Sequence, residues 1–130
     1  VINSPLVKTA VYGNDPNVGR LLGACGDALD QFDRDGHIDA TALRIEIFGE
    51  EVYRDGAFQL DGEREARLSD ALRRTAMDPA LHGCPQYTGS GEISVDFRRR
   101  DGQSDESNEV CVRGSDLSYE YVRENADYRS

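Results

Sequence analysis

Leu43, Ile45 and Ile47 alternate with Arg44, Glu46 and Phe48. That two-residue period describes a strand with one face on a core and the other against water. Such a strand cannot bury its apolar face alone, so the chain has to supply a second layer. The same alternation returns in Glu92–Arg98, EISVDFR, and a shorter VCVRG stretch follows at 110–114. The spacing predicts that these last two strands pair antiparallel. Gly49-Glu50-Glu51 reads as a hairpin turn leading into VYRDG.

The partner layer is written in helical grammar. Asn3-Ser4-Pro5 opens LVKTAVY with a capping residue, and proline stands at the first helical position. Gly13 offers a stop, so a helix is expected over about 5–12. Asp15-Pro16 starts a second helix over 16–29, in which Val18, Leu21, Leu22, Cys25 and Leu29 form one apolar stripe. Gly19, Gly23 and Gly26 recur along it, which weakens the helix and implies another backbone packed close by. A polar connection is expected over 31–40. A third helix, over about 62–77, turns Ala66, Leu68, Ala71, Leu72 and Ala76 inward. Residues 78–91 hold two prolines and three glycines and read as a long loop. Ser115 or Ser118 then caps a closing helix with Leu117, Tyr121 and Val122 on its apolar side. The order α, α, β, β, α, β, β, α gives an α+β fold, with mixed or antiparallel strands and packed helices.

The 130 residues suffice for one domain or a piece of a larger one. A net charge of −10 removes the basic face that nucleic acid or an anionic membrane requires. No apolar run reaches the length of a membrane span and no secretory signal pattern is present, so a soluble, cytoplasmic protein is expected. Three widely spaced cysteines, Cys25, Cys84 and Cys111, fit neither a disulfide framework nor a metal clip and read as buried or inert thiols. The chain begins at Val1 and its only methionine is Met77, which points to a processed product or a fragment. Fourteen of its fifteen basic residues are Arg, Lys8 being the other, a bias that suits a high-GC genome.

Local motifs carry little chemistry. Asp33-Arg34-Asp35-Gly36-His37-Ile38-Asp39 matches the middle of a calcium loop. With Gly36 at the loop's sixth position, Gln31 and Ala42 occupy the first and twelfth, where carboxylates are needed. The segment therefore reads as a solvated Asx-type turn. His37 and His82 lie apart and near no nucleophile turn, and Arg98-Arg99-Arg100 is diluted at once by Asp101 and Asp105. No metal or cofactor is implied.

Longer blocks carry more. Ser4-Pro5-Leu6-Val7-Lys8-Thr9-Ala10, Asp15-Pro16-Asn17 with Gly19-Arg20, Gly114, Asp116-Leu117-Ser118-Tyr119, and Tyr121-Val122-Arg123 with Asn125-Ala126-Asp127-Tyr128 up to Ser130 stand in order along the chain. Together they resemble the C-terminal part of the ornithine acetyltransferases, also called glutamate N-acetyltransferases. They cover about a third of the residues. Between roughly 28 and 110 the resemblance extends only to the pattern of strands and helix.

The resemblance implies an enzyme that moves an acetyl group from N-acetylornithine to glutamate through a covalent acyl-enzyme. Its precursor would cut itself, and the new N-terminal Thr of the β chain would be the nucleophile, with its own amino group as base. On that view residues 1–130 are a single C-terminal region of a β chain in a larger N-terminal-nucleophile, ArgJ-like α/β assembly. The nucleophile-bearing segment would lie upstream of Val1, and this chain would hold no catalytic residue. Its partners would be the α chain and the remainder of the β chain, in an αβ oligomer. Asn125 and, five places later, Ser130 match positions that contact the amino-acid substrate in the family. Lys8, Asn17 and Arg20 fall in its best-marked blocks and read as helix packing and local ion pairing.

Val18 stands where the family's DPNWGR has Trp, and Arg113-Gly114-Ser115-Asp116 where it has Trp-Gly-Cys-Asp. Loss of both tryptophans implies a divergent paralogue, of the kind found in clavulanic acid clusters. The alternative reading of the residues is a non-catalytic acidic binding module for calcium or a protein partner.

Overall fold

A computed structural model describes residues 1–76, 90–102 and 110–117. Among them the order is α1 (Pro5–Tyr12), α2 (Val18–Phe32), β1 (Ile38–Ile47), β2 (Glu50–Arg54), β3 (Ala57–Phe58), α3 (Gly62–Thr75) and β4 (Ile93–Arg99). The strands form one antiparallel sheet in the order β3-β2-β1-β4. The architecture is the expected α+β, with antiparallel strands and packed helices.

The alternation in β1 does what its period requires. Leu43, Ile45 and Ile47 are buried with Val52 of β2, and they meet Val7 of α1, Val18, Leu21, Ala24 and Cys25 of α2, and Leu68 of α3 in one cluster. The opposite face of the sheet is charged. Arg44 Nε reaches Glu51 at 2.7 Å, and its guanidinium also pairs with Glu46 and Asp96; Arg54 pairs with Glu51 as well. The Glu51 contact is the main reason the guanidinium holds its proton more firmly than usual.

Two tight turns set the sheet register. Phe48 and Gly49, both at positive φ (52° and 75°), join β1 to β2, and Asp55 and Gly56 (48° and 86°) join β2 to β3. Positive φ at both central residues defines the hairpin turn whose twist matches that of its strands. Phe48 carries a side chain in a conformation that suits glycine, and its neighbours hold it there. Its N–H donates to Glu92 O at 2.8 Å, and its ring lies where a Cβ on Gly91 would be only 2.8 Å away. The aspartate–glycine turn creates β3, a strand the sequence reading did not anticipate.

Two other expectations need correction. β4 pairs with β1, in the register Ile47↔Ile93 to Arg44↔Asp96, and 110–114 is irregular rather than a partner strand. The neighbouring edge of β1 is available to β4, whereas Val110 and Val112 are 80% and 62% exposed and have no core to face. In α3 only Leu68 and Leu72 are buried; Ala66 and Ala76 are exposed. Among the described residues nothing lies within 4 Å of where a Cβ on Gly23 or Gly26 of α2 would stand, so the close backbone expected there is not one of these. The helix uses its Val18, Leu21, Ala24 and Cys25 side for the core and leaves the glycines outward. Two boundaries also move: α2 continues through Phe32, and β1 begins at Ile38 behind an irregularity between Asp39 and Arg44.

Most of the 78–91 loop and the closing helix beyond Leu117 lie outside the described residues. No helix among the described residues is long and apolar enough to cross a membrane.

Candidate functional site

The two N-terminal blocks build one corner, α1–turn–α2. Ser4 caps α1, its Oγ accepting from Val7 N–H at 3.4 Å, with Pro5 at the first helical position. Asn14, at φ 57°, turns the chain, and Asp15 N–H donates to Ala10 O at 2.9 Å. Asn17 caps α2 by accepting from Arg20 N–H at 3.0 Å, while its amide donates to Asp15 Oδ2 at 2.8 Å. Arg20 then reaches back to α1, where one guanidinium nitrogen donates to Leu6 O at 3.0 Å and to Thr9 Oγ1 at 3.2 Å. Asn17 and Arg20 thus have the packing roles expected of them.

The corner is filled. The void among Val7, Ala10, Val11, Pro16, Leu21 and Leu72 measures about 10 Å³, room for about one water. It can orient what is attached to it, and it cannot itself hold an amino acid.

The C-terminal block returns to this corner. A Cβ on Gly114 would lie 2.6 Å from Ile2 Cδ1, so the irregular 110–117 segment runs directly against the residue that leads into α1. Asn125 and Ser130, the two expected substrate contacts, lie outside the described residues, as do His82 and Cys84.

Elsewhere the polar groups are already engaged. Asp33 Oδ2 accepts from Ile38 N–H at 2.8 Å and Oδ1 from His37 N–H at 2.9 Å. The first of these bonds is the main cause that holds its carboxyl below the usual range. Asp33 thus closes the turn through N–H groups four and five residues on, and the Asx-type bond, two residues on, falls at Asp39, whose Oδ1 accepts from Thr41 N–H at 3.0 Å. Among the described residues no group of three or more His, Cys, Asp or Glu is placed to hold a metal ion. An open cleft of about 430 Å³ lies beside this turn, between Leu29 and Phe32 of α2 and Phe97 and Arg99 of β4. His37 at its rim is exposed, with Nε2 3.9 Å from Asp35. The arginine run is a solvated strand end, as expected: Arg99 pairs with Asp101 at 2.8 Å, and Arg100 Nε donates to Ile38 O. Cys25 is buried, which pushes its thiol upward, and Cys111 is an exposed free thiol.

Sequence reasoning missed two arginine devices. Arg64 and Arg67 of α3 converge on Glu50 at 3.6 and 3.1 Å, and Arg64 also donates to Glu51 O at 3.0 Å, so α3 is stitched to β2. The Arg44 cluster is the second. Its signal was the run of opposite charges on the polar side of an alternating strand, which becomes a network only once the register is known.

A sequence profile of the ArgJ family matches residues 1–130, the whole chain. The chain belongs to the ArgJ family. Among its relatives, "Arginine biosynthesis bifunctional protein ArgJ" of Geobacter sulfurreducens is 34% identical over 131 residues, which cover 100% of this chain and 26% of that protein. "Glutamate N-acetyltransferase Oat2" of Streptomyces clavuligerus is 40% identical, over 98% of this chain and 27% of that protein. "Glutamate N-acetyltransferase" of Methanocaldococcus jannaschii is 34% identical, with the same two coverages, 98% and 27%. The chain therefore spans about a quarter of the length of the curated relatives it matches. Of the blocks that carry the resemblance, the structure describes the α1–α2 corner and the start of the last block, Gly114 to Leu117.

Proposed function

We propose that this chain is the C-terminal region of the β chain of a glutamate N-acetyltransferase. The whole enzyme moves the acetyl group of N-acetylornithine to glutamate, giving ornithine and N-acetylglutamate. The observation that carries the reading is the family match over residues 1–130, together with relatives named for this transfer.

In this reading the acetyl group is held between half-reactions as an ester on an N-terminal Thr that lies upstream of Val1. Splitting the transfer this way lets one site handle donor and acceptor in turn. The residues of this chain bind and orient. Asn125 offers an amide donor and a carbonyl acceptor, and Ser130 offers a hydroxyl, for the polar groups of an amino acid. The α chain and the rest of the β chain complete the site in an αβ oligomer, in the cytoplasm. The loss of both family tryptophans and the 40% identity to a Streptomyces clavuligerus relative support a divergent copy, of the kind serving clavulanic acid biosynthesis.

The test is to incubate the full-length protein with N-acetylornithine and glutamate and to follow release of ornithine. Stoichiometric N-acetylglutamate is expected, together with an acetylated Thr peptide when glutamate is withheld. An intact, correctly processed protein that forms neither would sink the reading.

A further inference from the structure

Four Asp-Gly pairs lie among the described residues: Asp35-Gly36, Asp55-Gly56, Asp61-Gly62 and Asp101-Gly102. In such a pair the glycine nitrogen can attack the aspartate side-chain carboxyl, because glycine has no side chain to hinder the approach. A hydrogen bond that holds the glycine N–H or the carboxylate works against the attack. Three of the pairs are held in this way. Gly36 N–H donates to Asp33 O at 2.9 Å, and Gly102 N–H donates to Arg99 O at 3.2 Å, while Arg99 also pairs with the Asp101 carboxylate at 2.8 Å. Asp61 caps α3, and its Oδ1 accepts from Arg64 N–H at 2.8 Å. That bond is the main cause that keeps its carboxyl below the usual range, in the ionised form that resists attack. At Asp55-Gly56 both reacting groups are unengaged. Among the described residues the Gly56 N–H makes no hydrogen bond, and the Asp55 carboxyl makes neither a hydrogen bond nor an ion pair. Both residues are exposed in the β2–β3 turn, and nothing lies within 4 Å of where a Cβ on Gly56 would stand.

We propose that Asp55 is a site of spontaneous isoaspartate formation, a modification that needs water as its only co-reactant. Gly56 N bonds to Asp55 Cγ, and the carboxyl hydroxyl leaves with the amide proton as water, closing a cyclic imide. Water then opens the ring. Cleavage of the bond from Gly56 N to Asp55 Cγ restores aspartate. Cleavage of the bond from Gly56 N to the Asp55 main-chain carbonyl frees that carbonyl as a carboxylate and leaves the chain running through Cβ and Cγ. The new link is longer by a methylene and cannot keep the paired positive φ values of 48° and 86° that make the turn. β3 has only the pairs Tyr53↔Phe58 and Arg54↔Ala57, so it would be released, and with it the edge-on contact between the Tyr53 and Phe58 rings, 5.6 Å apart. The β1–β2 register does not pass through this turn.

The experiment stores the native full-length protein in warm, neutral buffer made with H₂¹⁸O and digests it in ordinary water. Ring opening leaves an ¹⁸O atom on the residue that cyclised. Cutting after Arg54 and Arg64 gives the peptide 55–64, which contains both Asp55 and Asp61, so fragmentation compares the two in one molecule. Several-fold more label is expected at Asp55 than at Asp61, Asp35 or Asp101, and the same peptide should become a substrate for isoaspartyl methylation. Asp55→Ser should abolish both signals in that peptide. In urea the four pairs should label at similar rates, because the bonds that protect three of them are gone. Equal labelling of Asp55 and Asp61 in the native protein, or faster labelling at Asp35 or Asp101, would overturn the proposal. So would an unlabelled Asp55 over a period in which the urea-unfolded chain is labelled.

Discussion

Gly114 lies so close to Ile2 that a Cβ on it would fall 2.6 Å from Ile2 Cδ1 and 2.7 Å from Cγ1. Both contacts are far inside van der Waals range, and φ at Gly114 is not among the positive values, so the demand for glycine here is one of space. The contact ties the start of the family's last block to the entry of α1.

Gly114→Ala should therefore push Ile2 aside and destabilise the full-length protein by about 1–2 kcal/mol, as overpacking typically does. Adding Ile2→Ala removes both clashing atoms and should recover part of the loss. Thermal unfolding of the two variants and their combination measures the coupling. Additive losses would show that the two residues do not meet.

Asn17 should tolerate Ser better than Asp. Asn17→Ala removes the acceptor for Arg20 N–H and should cost about 1 kcal/mol. Ser keeps a capping oxygen. Asp also keeps one, but its second oxygen would replace an amide that now donates to Asp15 at 2.8 Å, setting two carboxylates together. The Asn17→Asp deficit should shrink as pH falls and the repulsion in the new pair is neutralised. A deficit that does not change with pH would argue against that contact.

Asp33 makes a prediction about acid. The N–H bond from Ile38, and after it that from His37, hold its carboxyl below the usual aspartate value. A depressed folded value means the turn is favoured above the unfolded value, near 3.9, and loses that support as pH drops through the lower folded one. In protein labelled with ¹⁵N-histidine, the His37 amide shift should therefore titrate with a midpoint below about 3.9. Asp33→Asn should abolish the titration. A midpoint at or above the unfolded value would show that the two bonds are not formed.

Local grammar was the legible part of this fold. Ser4-Pro5 and Asp15-Pro16 announced two helix starts, the second just ahead of the Asn17 cap, and Leu43, Ile45 and Ile47 chose a buried face, because each signal depends on neighbours a few residues away. Pairing was not legible in the same way. Val110-Cys111-Val112 has the β-prone composition of a strand, and β4 stands at the sheet edge beside no further described strand, yet the two valines are exposed and have no face of the core to cover. β3 was hidden because two residues are too few for any period, and only the Asp55-Gly56 turn announces it. In α2 the larger Val18, Leu21 and Cys25 decide which face the core takes, and the glycines stand outward among the described residues. At the candidate site, the resemblance singled out Asn17 and Arg20, and the structure gives them packing contacts. Asn125 and Ser130 came from the resemblance alone, since an amide and a hydroxyl near a chain end carry no pattern of their own.

Those two residues give the last prediction. A bound amino acid presents charged groups that are costly to leave unpaired once removed from water. Asn125 can both donate and accept, and Ser130 adds a hydroxyl. Asn125→Ala and deletion of Ser130 in the full precursor should each lower kcat/KM for acetyl transfer by roughly 5-fold to 150-fold, the equivalent of about 1–3 kcal/mol. Under the proposed function self-cleavage should continue at the parent rate, because that reading places the nucleophile in another segment of the precursor. Following cleavage by mass and transfer by steady-state kinetics in the same preparations separates the two steps. Parent-level transfer in both variants would reduce Asn125 and Ser130 to a helix cap and a chain end. Loss of cleavage together with transfer would mean that the C-terminal block acts on the architecture of the whole enzyme and not on its substrate.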